Sequence, residues 1–211
     1  MIRTFLRDNG LTIVLMAMFL AALGGMILSG QAAYNQELAS FGKSPLSLLD
    51  YLVSGNFLSS LFENWESEFL QMAAYVVLTA ILFQRGSAES RDPDKPFRPG
   101  DTLPHAARHP VRTWIYAHSL GLALALLFVA SFVLHGWASL KAANAEALLK
   151  GEQLQSIGAY IIDPRLWFES FQNWQSEFLS TALLVVLSII LRHQGSPESK
   201  PVSAPDAQTG G

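Results

Sequence analysis

A chain of 211 residues that is 50% apolar, 15% charged and has a mean hydropathy of +0.27 is too apolar for an ordinary soluble domain. A net charge of −3 is too mild to favour a nucleic-acid partner. With no cysteine, the chain has no disulfide, thiolate metal site or Cys nucleophile.

The charge deficit is local. Residues 9–36 and 113–140 contain no Asp, Glu, Lys or Arg. Runs of this length match a hydrocarbon core about 30 Å thick at about 1.5 Å per helical residue, so the chain reads as an integral membrane protein with the lipid bilayer as its first partner. Arg3 and Arg7 precede the first apolar run, residues 11–28. That run exceeds the roughly 7–15-residue core of a signal peptide, and its repeat partner, 120–137, lies mid-chain, so both read as permanent transmembrane helices. Small residues four apart, Ala21/Gly25 and Gly121/Ala125, permit close helix approach. In the polar connection 30–63, Ser44-Pro45 reads as an N-cap with proline at the first helical position, and Ser54-Gly55 as a stop. Residues 92–112, rich in proline and charge, read as a linker. His105 and His109 within it lack a carboxylate or thiol to complete a metal set. His118 and His135 read as polar tips near opposite ends of the third span. Asp163-Pro164 starts a helical pattern reaching about His193, and the tail 201–211 reads as disordered.

One stretch is written twice. Asn-Trp-Glu-Ser-Glu-Phe-Leu at 64–70 returns as Asn-Trp-Gln-Ser-Glu-Phe-Leu at 173–179, and each copy ends in Gly-Ser-x-Glu-Ser followed by a basic residue. Residues 64–91 and 173–200 match at 16 of 28 positions without a gap, at an offset of 109. The same register aligns Asn35 with Asn144, Gly42 with Gly151 and Tyr51 with Tyr160. The expected fold is an all-α membrane protein of four transmembrane helices. They form two parallel two-helix repeats, residues 1–91 and 113–200, with short helices in the outer-side loops. One side then carries ten Lys and Arg and the other carries Lys43, Lys141, Lys150 and Arg165, which places both termini and the linker in the cytoplasm. Gly86 and Gly195 read as helix C-caps at that face.

Candidate chemistry concentrates in the repeated stretch. Asn64 and Glu68, like Asn173 and Glu177, are four apart and share a helix face, which Gln71 and Tyr75 continue in the first copy and Ser180 in the second. Carboxylates at the edge of the hydrocarbon are costly and tend to face a bundle interior, so Glu68 and Glu177 could share one proton- or cation-handling pocket. On the plainer reading Trp65 and Trp174 are interfacial anchors and the stretch sets helix depth and packing. No acid, base and substrate pocket can be assembled, nor any phosphate loop, so no enzyme, cofactor or metal is expected.

The paired motifs, together with Phe-Leu-Arg-Asp-Asn-Gly-Leu at 5–11 and Ala-Ala-Tyr-Asn-Gln-Glu at 32–37, resemble an uncharacterised bacterial multi-pass membrane-protein family known only as a domain of unknown function. The second half reduces the latter element to Ala-Ala-Asn-Ala-Glu at 142–146. The resemblance implies a bacterial inner (plasma) membrane location and carries no activity. Two function classes follow from the residues: a structural or partner-binding membrane protein, or a small transporter or channel using Glu68 and Glu177, expected as a homo-oligomer because four short spans enclose little volume.

Overall fold

The computed structural model describes residues 2–98, 100–101 and 109–210; His105, like Pro99 and the rest of 102–108, lies outside the described residues. The order is α1 (Ile2–Ser40), α2 (Leu48–Leu52), α3 (Gly55–Ile81), α4 (Pro110–Ala117), α5 (Ser119–Lys150), α6 (Ile157–Tyr160) and α7 (Pro164–Ile190), with no strand among the described residues.

Three helices are long and apolar enough to cross a membrane: Arg3–Ser40, Ser119–Lys150 and Pro164–Ile190, with peak hydropathies of 2.5, 2.0 and 1.3. The expected count of four is therefore corrected to three. The helix that falls short is α3, because Glu63, Glu66 and Glu68 crowd its middle and Gln71 and Tyr75 stand where α7 has Ser180 and Leu184. The most apolar window of α1 is 0% buried, and Leu11, Met18, Leu20 and Leu28 are exposed. Apolar surface displayed all round a helix is stable only where the surroundings are themselves apolar.

The chain divides into two compact units. The first, Met1–Leu61 with Gly136–Ile161, builds the same loop twice. Both α1 and α5 stop at a left-handed glycine, Gly42 (φ 67°) and Gly151 (φ 73°). Lys43 N–H closes on Leu38 O at 2.9 Å and Glu152 N–H on Ala147 O at 2.8 Å, which satisfies carbonyls the helix ends would otherwise strand. Asn35 then clamps Leu46, donating to its carbonyl at 3.1 Å and accepting its N–H at 2.7 Å; Asn144 does the same to Gln155 at 3.0 and 2.8 Å. Ser47 caps α2 and Ser156 caps α6 through the N–H groups of Asp50 and Ala159. Each short helix drives one tyrosine inward: Tyr51 is 3% exposed and Tyr160 1%.

Two boundary readings change here. The α2 cap is Ser47, not Ser44-Pro45, since the Asn35 clamp holds Leu46 outside the helix. Ser54-Gly55 starts α3 rather than stopping α2. The Ser54 hydroxyl accepts the Phe57 N–H at 3.2 Å, and Gly55 is needed because an added Cβ would fall 2.7 Å from the Lys141 carbonyl carbon on α5.

The second unit, Phe62–His135 with Ile162–Gly211, holds the rest of α3, α4, the first half of α5, and α7. Within it α3 and α7 run in parallel, as their cross-links show: Gln172 donates to Glu63 at 3.2 Å, Gln71 to Ser180 at 3.3 Å, and Ser87 meets Ser188 at 2.8 Å. The N-terminus of α7 is as the sequence suggests, with Asp163 accepting the Arg165 N–H at 2.8 Å and Pro164 at the first position. Gly86 and Gly195 are not helix C-caps, because α3 ends at Ile81 and α7 at Ile190. They are the positive-φ third residues (85° and 84°) of turns closed by Ser87 N–H to Gln84 O and Ser196 N–H to His193 O, both 3.2 Å. The Gly-Ser-x-Glu-Ser signature is thus a folded turn. Ser87 and Ser196 accept the N–H of Glu89 and Glu198, while Ser90 and Ser199 accept the N–H of Gln84 and His193.

The tail expected to be disordered is folded onto this turn. Lys200 is 1% exposed and its ammonium donates to the carbonyls of Gly86 (2.6 Å), Asp206 (2.9 Å) and Gln208 (3.0 Å). Thr209 accepts the Gly86 N–H and Gly210 N–H donates to Ser87 O. A buried lysine needs several acceptors to offset its desolvation, and a chain of small residues and prolines can bend close enough to supply backbone carbonyls.

Candidate functional site

The face predicted from the spacing is divided by the structure. Asn64 and Glu68 lie on the exposed side of α3, while Glu177 is half-buried and close enough to Glu68 for the two carboxylates to repel. Gln71 is a three-way junction on α7, donating to Glu177 O (3.0 Å), Ser180 Oγ (3.3 Å) and Thr181 Oγ1 (2.5 Å). Tyr75 turns instead to Glu89, donating to its Oε2 at 2.7 Å. Asn173 donates to Glu63 Oε1 at 2.5 Å. Trp65 packs edge-on against Phe62 at 5.7 Å. Trp174 sits in an aromatic group with Phe171 (5.4 Å), Phe128 (6.1 Å) and Phe132 (6.3 Å), and its indole N–H points to a carboxylate.

That carboxylate is Glu66, which the sequence reading passed over. Glu66 and His135 are both 0% exposed. His135 Nδ1 lies 2.8 Å from Glu66 Oε2, and Trp174 Nε1 donates to Glu66 Oε1 at 3.1 Å. On the other edge of the imidazole, Nε2 is buried without a hydrogen bond, with Glu169 Oε2 3.4 Å away. Arg165 Nε meets the other Glu169 oxygen at 3.1 Å, one turn back along α7. Glu63, one turn before Glu66, is bound by Gln172 and Asn173. One histidine from α5 thus stands between two carboxylates from α3 and α7, under an aromatic cover. His135 is the centre of a buried network, not a polar tip at a span end. Its two nitrogens face carboxylates rather than a common point, and no grouping suited to a metal ion occurs among the described residues.

The cluster draws on positions where the two copies differ. At the offset of 109, Glu63 and Glu66 correspond to Gln172 and Gln175, His135 to Met26, Glu169 to Ser60 and Arg165 to Asn56. The signal that could have found it was therefore the list of mismatches between the copies. A buried ion network needs one charged set, and a symmetric duplicate would double the desolvation cost.

At the far end of the α3–α7 seam, Glu89 carries a second acidic centre, with Glu198, its repeat counterpart, beside it. Burial, then Glu198, pushes the Glu89 carboxyl above its ordinary range, and the hydrogen bond from Tyr75 offsets part of this.

No curated protein and no solved structure matches the chain. A family model does match, over residues 2–211, and the chain therefore belongs to the family described as Domain of unknown function (DUF6766).

Proposed function

We propose that this is a non-enzymatic, multi-pass protein of the bacterial inner membrane that takes up and releases a proton at the Glu66–His135–Glu169 cluster, as a small proton- or cation-coupled transporter. The observation that carries this reading is the complete burial of His135 and Glu66, with Glu169 at the second imidazole nitrogen. Ionisable groups set among membrane helices are expensive and are kept where they serve an ion pathway. Formal charge adds support. With Glu63, Glu66 and Glu169 ionised against His135 and Arg165, one negative charge is left over, and a proton is the cheapest way to remove it from apolar surroundings. The site thus moves from Glu68 and Glu177, which repel each other near the surface of the unit, to the buried neighbours one helical turn away.

The abundance of Lys and Arg around the linker and after α7 supports a cytoplasmic position for that face. The parallel course of α3 and α7, with Glu63 beside Gln172 and Gln71 beside Ser180, supports the duplication of a parallel helical unit. The uncovered flank of α1 leaves lipid or a second copy of the chain as its cover.

The test is proton flux into vesicles loaded with a pH-sensitive dye. Wild type is expected to conduct, Glu66→Gln and His135→Met to lose at least tenfold, and the Glu68→Gln/Glu177→Gln double variant to keep most of the flux. Background flux from wild type, equal to that of Glu66→Gln, overturns the reading. A structural role is favoured by one observation, the full satisfaction of Glu66 by His135 and Trp174. It predicts loss of stability in Glu66→Gln without any flux in wild type.

A further inference from the structure

The C-terminal half of the α3–α7 seam contains a cavity of about 410 Å³ that the proton cluster does not use. Its walls are mostly apolar, from Leu78, Leu82, Phe178, Val185 and Val186, with the uncharged polar side chains of Gln71, Thr79, Gln84 and Thr181 among them, and one acidic side chain, Glu89, reaches it. The volume lies in the range of small-molecule sites, which are mostly apolar with a few placed polar groups.

The state of Glu89 defines what would fill the cavity. Its Oε2 accepts the Tyr75 hydroxyl at 2.7 Å, while its Oε1 is buried and accepts no hydrogen bond. Arg91, two residues on, makes no ion pair with Glu89 among the described residues: it donates to the carbonyls of Ala80 and Pro96 and lies over the Phe83 ring at 5.2 Å, while its Nε donates to no partner. The backbone that carries Glu89 is also held in place. The Ser87 hydroxyl accepts the Glu89 N–H at 3.1 Å and is itself tied to Ser188 at 2.8 Å. An anion would meet both Glu89 and Glu198. A strongly polar solute would lose its hydration to apolar walls, and a neutral hydrocarbon would leave Oε1 unserved. A greasy body bearing one positive charge satisfies walls and carboxylate together.

We propose that this cavity is a binding site for lipophilic monocations, with the apolar body between α3 and α7 and the charge at Glu89. The site is independent of the Glu66–His135–Glu169 reading.

Equilibrium dialysis of labelled tetraphenylphosphonium against the detergent-solubilised full chain tests it. Wild type should bind saturably near one per chain. Glu89→Gln should weaken binding at least tenfold, and Val185→Trp, which fills the cavity without touching the charge, should abolish it. Unlabelled cation should compete, whereas neutral triphenylphosphine oxide should not. Both variants are first checked for a wild-type unfolding transition; if either has none, Glu89→Ala and Val186→Phe replace them, with the same expected losses. Absence of saturable binding to wild type, undiminished binding to the folded charge variant, or equal competition by the neutral oxide overturns the proposal. The last outcome would assign the cavity to neutral apolar occupants such as lipid chains.

Discussion

At the residue scale the decisive difference is between Glu68, which the repeated motif advertises, and Glu66, which it varies. They are two positions apart, and in a helix with about 3.6 residues per turn that step points them to different sides. Removing one member of a buried ion pair strands its partner and typically costs about 3–5 kcal/mol. Glu66→Gln and His135→Met should each fall near this range, and the double variant should cost less than the two together by about 1–3 kcal/mol. Chemical unfolding of the four proteins in detergent measures that coupling; strict additivity would mean the two groups do not act as a pair. Glu89 gives a second residue-scale prediction. Its folded-state pKa is raised, so protonation favours the folded chain. That contribution is full below the ordinary glutamate value of about 4.3 and is lost as pH rises through the elevated folded value. The unfolding temperature of wild type should therefore fall more steeply than that of Glu89→Gln as pH rises above the ordinary glutamate range.

At the scale of elements, the helices and their signals were largely open to sequence reasoning, whereas the junctions were not. The charge-free runs mark α1 and α5, and Asp163-Pro164 marks the start of α7, because capping and apolar length are local properties. Ser54-Gly55 misleads because glycine serves two purposes, a left-handed stop or a close approach, and only the neighbouring helix shows which. Here it is the approach of α3 to the Lys141–Ala142 backbone. Gly55→Ala should cost about 1–3 kcal/mol through overpacking, read as a lowered unfolding midpoint. Gly42→Ala should cost about 1–2 kcal/mol for a different reason, a left-handed conformation with open space around it. A difference between the two would appear in relief by a compensating truncation: Lys141→Ala should not rescue Gly55→Ala, since the obstacle is backbone.

At the scale of the whole molecule, Lys200 shows how a tail of low complexity gains a structure. Its ammonium gathers carbonyls from Gly86, Asp206 and Gln208, so the order of residues 201–210 depends on one buried charge. Lys200→Met should raise hydrogen exchange throughout that segment and destabilise the chain by about 2 kcal/mol or more, since hydrogen bonds to charged groups are worth about 1.5–3 kcal/mol each. Unchanged protection in the tail would refute this dependence. Composition, apolar run length and the sequence match at an offset of 109 residues determined by themselves that the protein is helical, carries runs apolar enough to cross a membrane and is internally similar in sequence, because these follow from summed transfer energies and local periodicity. Only the tertiary structure decided that α3 is too polar a helix to stand alone and lies along α7, that His135 is a buried centre rather than a span end, and that the buried charged cluster is built from positions where the copies diverge. The physical reason is that burial of a charge depends on what faces it from a neighbouring helix, and that facing partner is distant in the chain, 69 residues away for Glu66 and His135.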